Sequence, residues 1–396
     1  MSGTTRQRLR RAGTVVAIVL LGAAVPVALN VAADANGVFN CSGGSQVDET
    51  LTNGARWQMC WEKRAREGIV IHDVTYTPIG GQPVEVLSEA ALAQIHVPYD
   101  DNGARFHDLS DYGLGGNMDA LSAGDCPNGT LLSNNWLCQT EAPTGYAYKS
   151  YDEVADATSL NLFSASCIGA YCYVVAWNFD DDGTIRPEVG ATGSLQIYGG
   201  TPQTTWPMGG GNRAVAHMHN FYWRLDFDVD GQANDRVEEL EALPAAGTGR
   251  SQLRNTRRAF SVEAARRVSP GAFRSWRVRD TVTRNGDNHP ISWELVPNTD
   301  NIFRGPNFES FTQNELYVTR NRSCERFASH NPTTGGCPSS VAGFADGQSL
   351  TGQDLVVWYA TSFHHLPRDE DEDHMHPHWS GFSIVPRDLT ATNPAG

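Results

Sequence analysis

The sequence predicts an all-β protein built as a large antiparallel β-sandwich with few short helices. Short runs of apolar and aromatic residues alternate with polar ones, and Gly, Asn, Asp and Pro separate the runs. The segment FDDDGTI between two such runs is typical of a β-hairpin. With 396 residues and 40% hydrophobic content, the chain is long and apolar enough to bury a large core.

The strand predictions follow one another along the chain. Alternating or aromatic-rich runs cover residues 68–99, 171–189, 193–199 and 219–231. Helical patterns are short and occur only at SVEAARRV (261–268) and SEAALAQI (88–95). The acidic and histidine-rich segment PRDEDEDHMHPH (367–378) is predicted to be a charged loop, because the apolar stretch GFSIVP follows it.

The N-terminus has the pattern of an export signal. A basic stretch, RQRLRR, precedes an apolar run that ends in small residues before DANG. Residues 1–36 are therefore predicted to be a signal peptide that is cleaved or an anchor that stays in the membrane. Either outcome places residues 37–396 outside the cytoplasm, secreted or anchored on the outer face.

Eight cysteines fit an oxidising compartment. Local spacing favours three disulfides, Cys41–Cys60, Cys126–Cys138 and Cys324–Cys337. In one extended strand, Cys167 and Cys172 would lie roughly 16 Å apart, whereas a disulfide needs Cα atoms within about 7 Å. We expect these two as free thiols unless the chain bends between them.

The charge of the chain argues against one class of partner. Its formal net charge is −15, whereas a nucleic-acid-binding protein needs a basic face. The acidic surface would attract a cationic small substrate, although solubility alone also explains it.

Two histidine segments indicate a metal site. His217 and His219 stand two apart in a strand-like run, so their side chains point to the same face. His364 or His365, at the end of another apolar run, could supply a third imidazole, and three imidazoles suit copper or zinc. A second tract with His374, His376 and His378 is a rival, for which a polar loop is the favoured interpretation.

Acidic residues follow the first histidine pair. Asp226, Asp228 and Asp230 alternate with apolar residues in RLDFDVDG. Clustered carboxylates suit a hard ion such as calcium, while a solvated strand face explains the same pattern without a ligand.

These segments resemble the copper-containing, topaquinone-dependent amine oxidases. HMHNFYWRLDFDVDG (217–231) is similar to the family's metal segment, His-x-His followed by aromatic residues and Arg-Leu-Asp-x-Asp-x-Asp-Gly. WYATSFHHLPRDED (358–371) resembles the segment that carries its last ligand. The resemblance implies a copper site formed by His217, His219 and His365.

Two further segments carry the same resemblance. CIGAYCYVVAWNFDDDGTIRPEVGATG is similar to the cofactor segment and identifies Tyr171 as the tyrosine that the family converts to topaquinone. REGIVIHDVTY and QIHVPYDDNGARFHDLSDYGLGG resemble the family's upstream segments. The match implies that Asp108 is the catalytic base, that Tyr99 holds the cofactor's oxygen and that Phe106 gates the substrate channel.

The resemblance covers about residues 60–390 and implies a β-sandwich catalytic domain at 37–396, usually a homodimer. It also implies a disulfide between Cys126 and Cys138. We expect the family's small N-terminal domains to be absent, since about 25 residues separate the signal from the first match. A calcium site is implied at Asp226, Phe227 (carbonyl), Asp228, Asp354 and Leu355 (carbonyl).

The implied function is the oxidation of a primary amine by dioxygen, with copper and topaquinone as cofactors. The products are an aldehyde, ammonia and hydrogen peroxide. Two departures qualify this expectation. Ala170 and Cys172 replace the Asn and the acidic residue that flank the family's tyrosine, and Glu372-Asp373 replaces its Trp-Pro.

Three alternatives follow from the departures. The protein could bind copper without mature topaquinone and have different oxidase chemistry or none, or it could be a secreted β-domain that keeps the metal site for structure. A cofactor modified by the Cys172 thiol is a further alternative, against which the opposite orientation of adjacent strand residues argues.

Overall fold

A computed structural model describes residues 39–42, 45–197, 201–231, 234–298 and 305–395. The predicted signal peptide or anchor at residues 1–36 lies outside these ranges and stays a prediction. Within the described ranges, no helix is both long and apolar enough to cross a membrane.

The described residues form mainly β-strands. In chain order the strands are β1 Ser45–Thr50, β2 Arg56–Arg64, β3 Gly68–Thr77, β4 Val84–Pro98, β5 Arg105–His107, β6 Thr130–Leu132, β7 Leu137–Ser150, β8 Glu153–Ile168, β9 Tyr171–Asp180, β10 Ile185–Gly193, β11 Thr205–Pro207, β12 Arg213–Val215, β13 His217–Phe227, β14 Asp235–Pro244, β15 Leu253–Ala259, β16 Ala264–Arg266, β17 Ser275–Arg284, β18 Pro290–Val296, β19 Leu316–Arg320, β20 Leu355–His365, β21 Met375–Gly381 and β22 Ser383–Arg387. The helices in these ranges are single turns: α1 Asp108–Asp111, α2 Val341–Phe344, and 3-10 turns at Gly115–Asn117, Gly209–Gly211, Pro270–Ala272, Ser310–Gln313, Thr334–Gly336 and Asp369–Asp371.

The strands form two large antiparallel sheets. The first has the order β1-β2-β3-β4-β13-β20-β19-β16, with β5 paired to β4. The second has the order β15-β14-β17-β18-β22-β10-β9-β8-β7-β6, with β21 paired to β10, and β11 and β12 form a separate pair. This arrangement confirms the predicted antiparallel all-β class.

The two large sheets pack face to face through buried aromatic side chains. The ring of Trp57 in the first sheet lies 5.0 Å from that of Phe179 in the second. Trp223 and Trp177 meet edge to face, also at 5.0 Å between ring centroids. Each such pair contributes roughly 0.5–1.5 kcal/mol of stabilisation beyond the effect of its buried area, so these pairs help to hold the two sheets together. The result is a sandwich with its core between the sheets.

The predicted hairpin at FDDDGTI is confirmed. Strands β9 and β10 pair antiparallel on either side of the turn, from Phe179 opposite Ile185 to Tyr171 opposite Gly193. Gly183 adopts a φ of 92° in that turn, a conformation that glycine reaches without strain.

Both helix predictions are wrong. Residues 88–95 lie in β4, which pairs with β3 on one side and β13 on the other. Helix-forming Ala and Leu residues are tolerated there because burial between two neighbouring strands outweighs local propensity. In the second segment, Ala264–Arg266 forms β16. The adjacent Glu263 carboxylate accepts backbone N–H bonds from Arg320, Asp346 and Gln348, which organises this stretch through tertiary contacts.

The prediction of a charged loop at 367–378 is wrong for the second half of this segment. The acidic part forms a 3-10 turn at Asp369–Asp371, but the last residues belong to β21. This strand pairs with β10, where His378 stands opposite Ala191.

The three predicted local disulfides, Cys41–Cys60, Cys126–Cys138 and Cys324–Cys337, are confirmed.

Candidate metal and catalytic site

The three predicted copper ligands come together on two neighbouring strands. His217 and His219 lie on the same face of β13, and His365, at the end of β20, is the cross-strand partner of His217. The exposed fraction of each residue is 1% or less. Ring nitrogens of the three histidines lie within 4.8 Å of one another. Strand alternation and the register between β13 and β20 therefore create the cluster.

Hydrogen bonds fix which nitrogen of two histidines faces the cluster. His217 Nδ1 donates to the carbonyl oxygen of Val215 at 3.2 Å, which leaves Nε2 without a proton and able to bind a metal. His365 Nε2 donates to the Asp371 carboxylate at 3.1 Å, which leaves Nδ1. These two unprotonated nitrogens lie 3.3 Å apart. Metal-binding histidines are commonly oriented by such bonds on their other nitrogen.

The donor set fits copper. Neither ring nitrogen of fully buried His219 has a hydrogen-bond partner among the described residues, and a bound metal would satisfy one of them. Burial lowers the pKa of His217 to about 3 and lowers the pKa of His365 despite the opposing effect of Asp371. Burial likewise holds the pKa of His219 well below its usual range. All three imidazoles are therefore neutral at pH 7, the form that binds copper or zinc.

The other histidines of these segments lie outside the cluster. His364 points to solvent and pairs with Asp100 at 2.9 Å. In the rival tract, His378 packs 4.8 Å from the ring of His365 and lies 4.0 Å from Asp371. His374 and His376 are not part of any close ligand group among the described residues.

Tyr171 approaches the histidine cluster from the opposite sheet. It is the first residue of β9, its exposed fraction is 4%, and its ring lies edge-on to His219 with 5.0 Å between centroids. The phenolic oxygen lies 2.9 Å from Nε2 of His217. A metal held by the three imidazoles would therefore have this phenol beside it.

The expectation of free thiols at Cys167 and Cys172 is wrong, because the two residues form a disulfide. The chain turns at Gly169, whose φ is 64°, so that β8 and β9 form a hairpin instead of one extended strand. The two cysteines become direct cross-strand partners with 4.0 Å between their Cα atoms. Since its sulfur is in the disulfide, Cys172 offers no thiol for cofactor modification.

A cavity of about 210 Å³ lies next to Tyr171. It is lined by the residues to which the resemblance assigned catalytic or gating roles, Asp108, Tyr99 and Phe106. The ring of Tyr99 stacks on the His217 imidazole with 4.6 Å between centroids. Phe106 meets the Tyr99 ring edge to face at 6.1 Å. The structure thus brings the predicted base, gate and cofactor tyrosine into one space beside the metal cluster.

Asp108 is a buried carboxyl group at the start of α1. Burial raises its pKa to about 6, and a hydrogen bond from Tyr173 partly offsets this rise. Tyr173 Oη donates to Asp108 Oδ2 at 2.6 Å. A carboxyl group with a pKa near neutrality can accept a proton and release it again, as a general base must.

Sequence reasoning missed two residues of the site. Tyr173 lies two residues after Tyr171 and therefore on the same strand face, a signal that could have identified it. Asp371 stood within an acidic run, and nothing in that run distinguished the one carboxylate that contacts His365.

The predicted calcium residues lie together at the end of β13 and the start of β20. Asn321 Nδ2 donates to Asp226 Oδ2 at 2.7 Å and to Asp354 Oδ2 at 2.9 Å, and burial raises the pKa of Asp226 to about 8. The carboxylates of Asp226, Asp228 and Asp354 do not form a close group of ligand atoms among the described residues. The carbonyls of Phe227 and Leu355 belong to strand ends. Calcium binding here stays a prediction.

The chain is similar in sequence to proteins named as amine oxidases. The chain is 26% identical over 378 residues to the primary amine oxidase of Arthrobacter sp. (strain P1), a match that covers 83% of this chain and 57% of that one. It is 29% identical over 388 residues to the histamine oxidase of Arthrobacter globiformis, covering 86% and 56%. The chain thus spans little more than half the length of these relatives.

Solved structures share the fold. The copper-containing benzylamine oxidase from Hansenula polymorpha superposes with a TM-score of 0.74 at 20% identity, covering 91% of this chain and 64% of that one. The amine oxidase of Aspergillus nidulans gives 0.71 at 23% identity, covering 86% and 52%. Residues 46–396 match the family profile described as copper amine oxidase, enzyme domain. The chain therefore belongs to the copper amine oxidase family.

Proposed function

We propose that the protein oxidises a primary amine to an aldehyde, with release of ammonia and hydrogen peroxide, by means of copper and a topaquinone made from Tyr171. The observation that carries the proposal is the 2.9 Å approach of the Tyr171 phenol to His217 within a cluster of three neutral imidazoles. His217, His219 and His365 would hold the copper. Copper and the quinone together supply the electrophilic carbonyl and the route for electrons to dioxygen.

Asp108 is the base in this proposal. Its carboxylate faces the same cavity as Tyr171 and accepts the proton that leaves the carbon next to the substrate nitrogen. With a pKa of about 6, most Asp108 side chains are ionised at pH 7 and ready to accept that proton. The hydrogen bond from Tyr173 holds the carboxylate in position and stabilises its charge.

The cavity favours an amine with an apolar body. Apart from Asp108 and Gln196, its walls are formed by Gly169 and by aromatic and aliphatic side chains: Val97, Tyr99, Phe106, Tyr112, Ile168, Tyr171 and Tyr173. Its volume of about 210 Å³ suits a small aliphatic or single-ring amine. The histamine oxidase and the benzylamine oxidase among the similar proteins are each named after a single-ring amine, which is consistent with this choice.

The second candidate is a copper protein without mature topaquinone. It is favoured by the replacements at Ala170 and Cys172, on either side of Tyr171. The turn that contains Ala170 and the disulfide at Cys172 hold the backbone on either side of Tyr171 in a hairpin. If rotation is required during cofactor formation, this hairpin is where processing would fail.

Three further properties belong to the proposal. The four disulfides of the described residues support a location outside the cytoplasm. A homodimer is proposed by analogy with the family. Calcium is proposed at the Asp226 region, where buried carboxyl oxygens of Asp226 and Asp354 have no hydrogen-bond partner among the described residues.

The test is a turnover assay on copper-loaded, oxygen-exposed protein. Benzylamine, 2-phenylethylamine, histamine and putrescine are supplied, and hydrogen peroxide and aldehyde are measured together. We expect both products from at least one single-ring amine and none from the Tyr171→Phe variant. Copper-loaded wild-type protein that oxidises none of these amines and does not react with phenylhydrazine would support the second candidate instead.

A further inference from the structure

A second cluster of metal-binding side chains lies behind the catalytic cavity. His96 in β4 and His107 in β5 are cross-strand partners, with 4.9 Å between ring centroids. Glu309, from the segment that follows residue 304, reaches both of them. The exposed side-chain fractions of His96, His107 and Glu309 are 0%, 8% and 11%. One ligand atom from each lies within 4.8 Å of the others.

One distance inside this cluster suits two ligands of a shared metal ion, although an ion pair has the same distance. His96 Nε2 and Glu309 Oε2 lie 3.3 Å apart, yet neither atom makes an aligned hydrogen bond among the described residues. Two ligands at about 2.0–2.1 Å from a tetrahedral zinc ion are roughly 3.3–3.4 Å apart. Buried polar atoms without a hydrogen bond are uncommon and call for an explanation. A shared ion would satisfy both.

A hydrogen bond at one ring nitrogen of His107 leaves its other ring nitrogen available to the same ion. Its Nδ1 lies 2.8 Å from the hydroxyl of Ser329, and its Nε2 lies 3.9 Å from Glu309 Oε1. When Nδ1 donates to that hydroxyl, Nε2 keeps its lone pair. Burial lowers the pKa of His107 to about 4, so the ring is neutral at pH 7. A neutral imidazole held through its second nitrogen is the usual form of a zinc ligand.

The cluster is distinct from the copper site because strand alternation separates the two. Val97 and Phe106 face the catalytic cavity, whereas their neighbours His96 and His107 face the other side of the same strand pair. On β13, Asn220 contacts His96 while the adjacent His219 belongs to the copper cluster.

We propose that His96, His107 and Glu309 bind a divalent transition-metal ion of the zinc type, separate from copper. Two histidines and one glutamate leave a fourth position for water or an added ligand. Binding at His96 Nε2 requires a proton on Nδ1, which in turn requires that Asn220 present its carbonyl oxygen there. In the structure the Asn220 amide nitrogen lies 3.4 Å from Nδ1 and donates to the His96 carbonyl oxygen, while Ser362 Oγ donates to the Asn220 amide oxygen. Metal binding would therefore require a half-turn of the amide that gives up the bond to the His96 carbonyl.

The site would fasten one surface segment to the back of the catalytic strands. Glu309 belongs to the segment just before the 3-10 turn Ser310–Gln313, while His107 directly precedes Asp108. A shared ion would therefore tie this segment to the backbone that carries the base. Arg105 Nε lies 3.4 Å from Glu309 Oε1 and is the group that would neutralise the carboxylate if no ion were bound.

The test is metal analysis of the copper-loaded full-length protein. After dialysis against micromolar zinc and removal of free metal, copper and zinc per chain are measured together. We expect about one zinc in addition to unchanged copper. Glu309→Gln and His107→Gln should each lower bound zinc at least tenfold with copper unchanged, whereas Glu153→Gln, at an exposed position on β8, should keep both metals.

Retained copper also shows that each variant has folded, which makes its zinc content interpretable. Wild-type protein that takes up no zinc, or takes it up only as copper is lost, would overturn the proposal. Zinc retained in both variants would overturn it as well. X-ray absorption at the zinc edge gives an independent criterion, since two imidazoles and oxygen ligands are expected. The result does not depend on amine turnover, so it stands or falls separately from the proposed function.

Discussion

The hydroxyl of Tyr173 donates a hydrogen bond of 2.6 Å to the carboxylate of Asp108, and both groups line the cavity beside Tyr171. This contact links the strand that carries Tyr171, the proposed cofactor precursor, to the group proposed as the base. It opposes the rise in the pKa of Asp108 that burial causes. The ionisation of the base therefore depends on a residue in the other sheet.

Replacement of this donor should shift the pH dependence of the reaction. In Tyr173→Phe the ionised form of Asp108 loses its hydrogen bond, so its pKa should rise by roughly one unit. With the pKa of Asp108 at about 6, we expect the acid limb of kcat/KM near pH 6 in the wild-type protein and nearer pH 7 in the variant. Tyr76→Phe, which removes a buried hydroxyl bonded at 2.7 Å to the Asp181 carbonyl, serves as control. A limb that stays in place would remove Tyr173 from the ionisation of the base.

Asp108→Asn should separate catalysis from cofactor formation. Without a base, turnover should fall by roughly 10²–10⁴-fold, while copper content and reaction with phenylhydrazine persist. The three properties are measured on one preparation, by steady-state rates for turnover, metal analysis for copper and hydrazine labelling for the cofactor. Normal turnover would remove Asp108 from the mechanism.

The same variant should reveal the stability cost of the buried carboxylate. The pKa of Asp108 is about 6 in the folded protein, above its ordinary value of 3.8. The folded state thus binds more protons than the unfolded state between these values, and the contribution of Asp108 to stability falls as pH rises through that window. The stability of Asp108→Asn relative to wild type should therefore be higher at pH 8 than at pH 4. Thermal unfolding at the two pH values measures this, and a variant that is destabilised more at pH 8 than at pH 4 would contradict it.

Asp371→Asn should weaken copper binding. Asp371 accepts from His365 Nε2 and also from the backbone and guanidinium of Arg368, so it orients a ligand from a rigid turn. Loss of such a partner typically costs roughly 10–100-fold in metal affinity. Competition titration with a copper chelator measures the change. Asp369→Asn, at an exposed position in the same turn, should leave the affinity unchanged. Equal affinities in the two variants would argue against this role of Asp371.

The histidine cluster could be predicted from the sequence because strand geometry is regular. A two-residue spacing places His217 and His219 on one face, and the resemblance selected His365 over His364. The structure explains that choice, since His365 stands directly opposite His217 and His364 points to solvent.

Other features depend on contacts between segments that are distant in the sequence. The pairing of Cys167 with Cys172 follows from a turn at Gly169, which interrupts what looked like one continuous strand. The zinc-type cluster unites β4, β5 and Glu309, and no local spacing predicts that third ligand. Residues 88–95 contain good helix formers, yet their place between two strands decides their conformation.

The central claim is that Tyr171, held beside a copper ion, becomes the quinone cofactor. The most direct test is the mass of the peptide that contains Tyr171, measured after reduction of the Cys167–Cys172 disulfide. Protein prepared with copper and oxygen should show a tyrosine that has gained two oxygen atoms and lost two hydrogen atoms, with fragment ions that assign the change to Tyr171. Protein kept free of copper should show unmodified tyrosine. An unmodified Tyr171 in fully copper-loaded, oxygen-exposed protein would contradict the account.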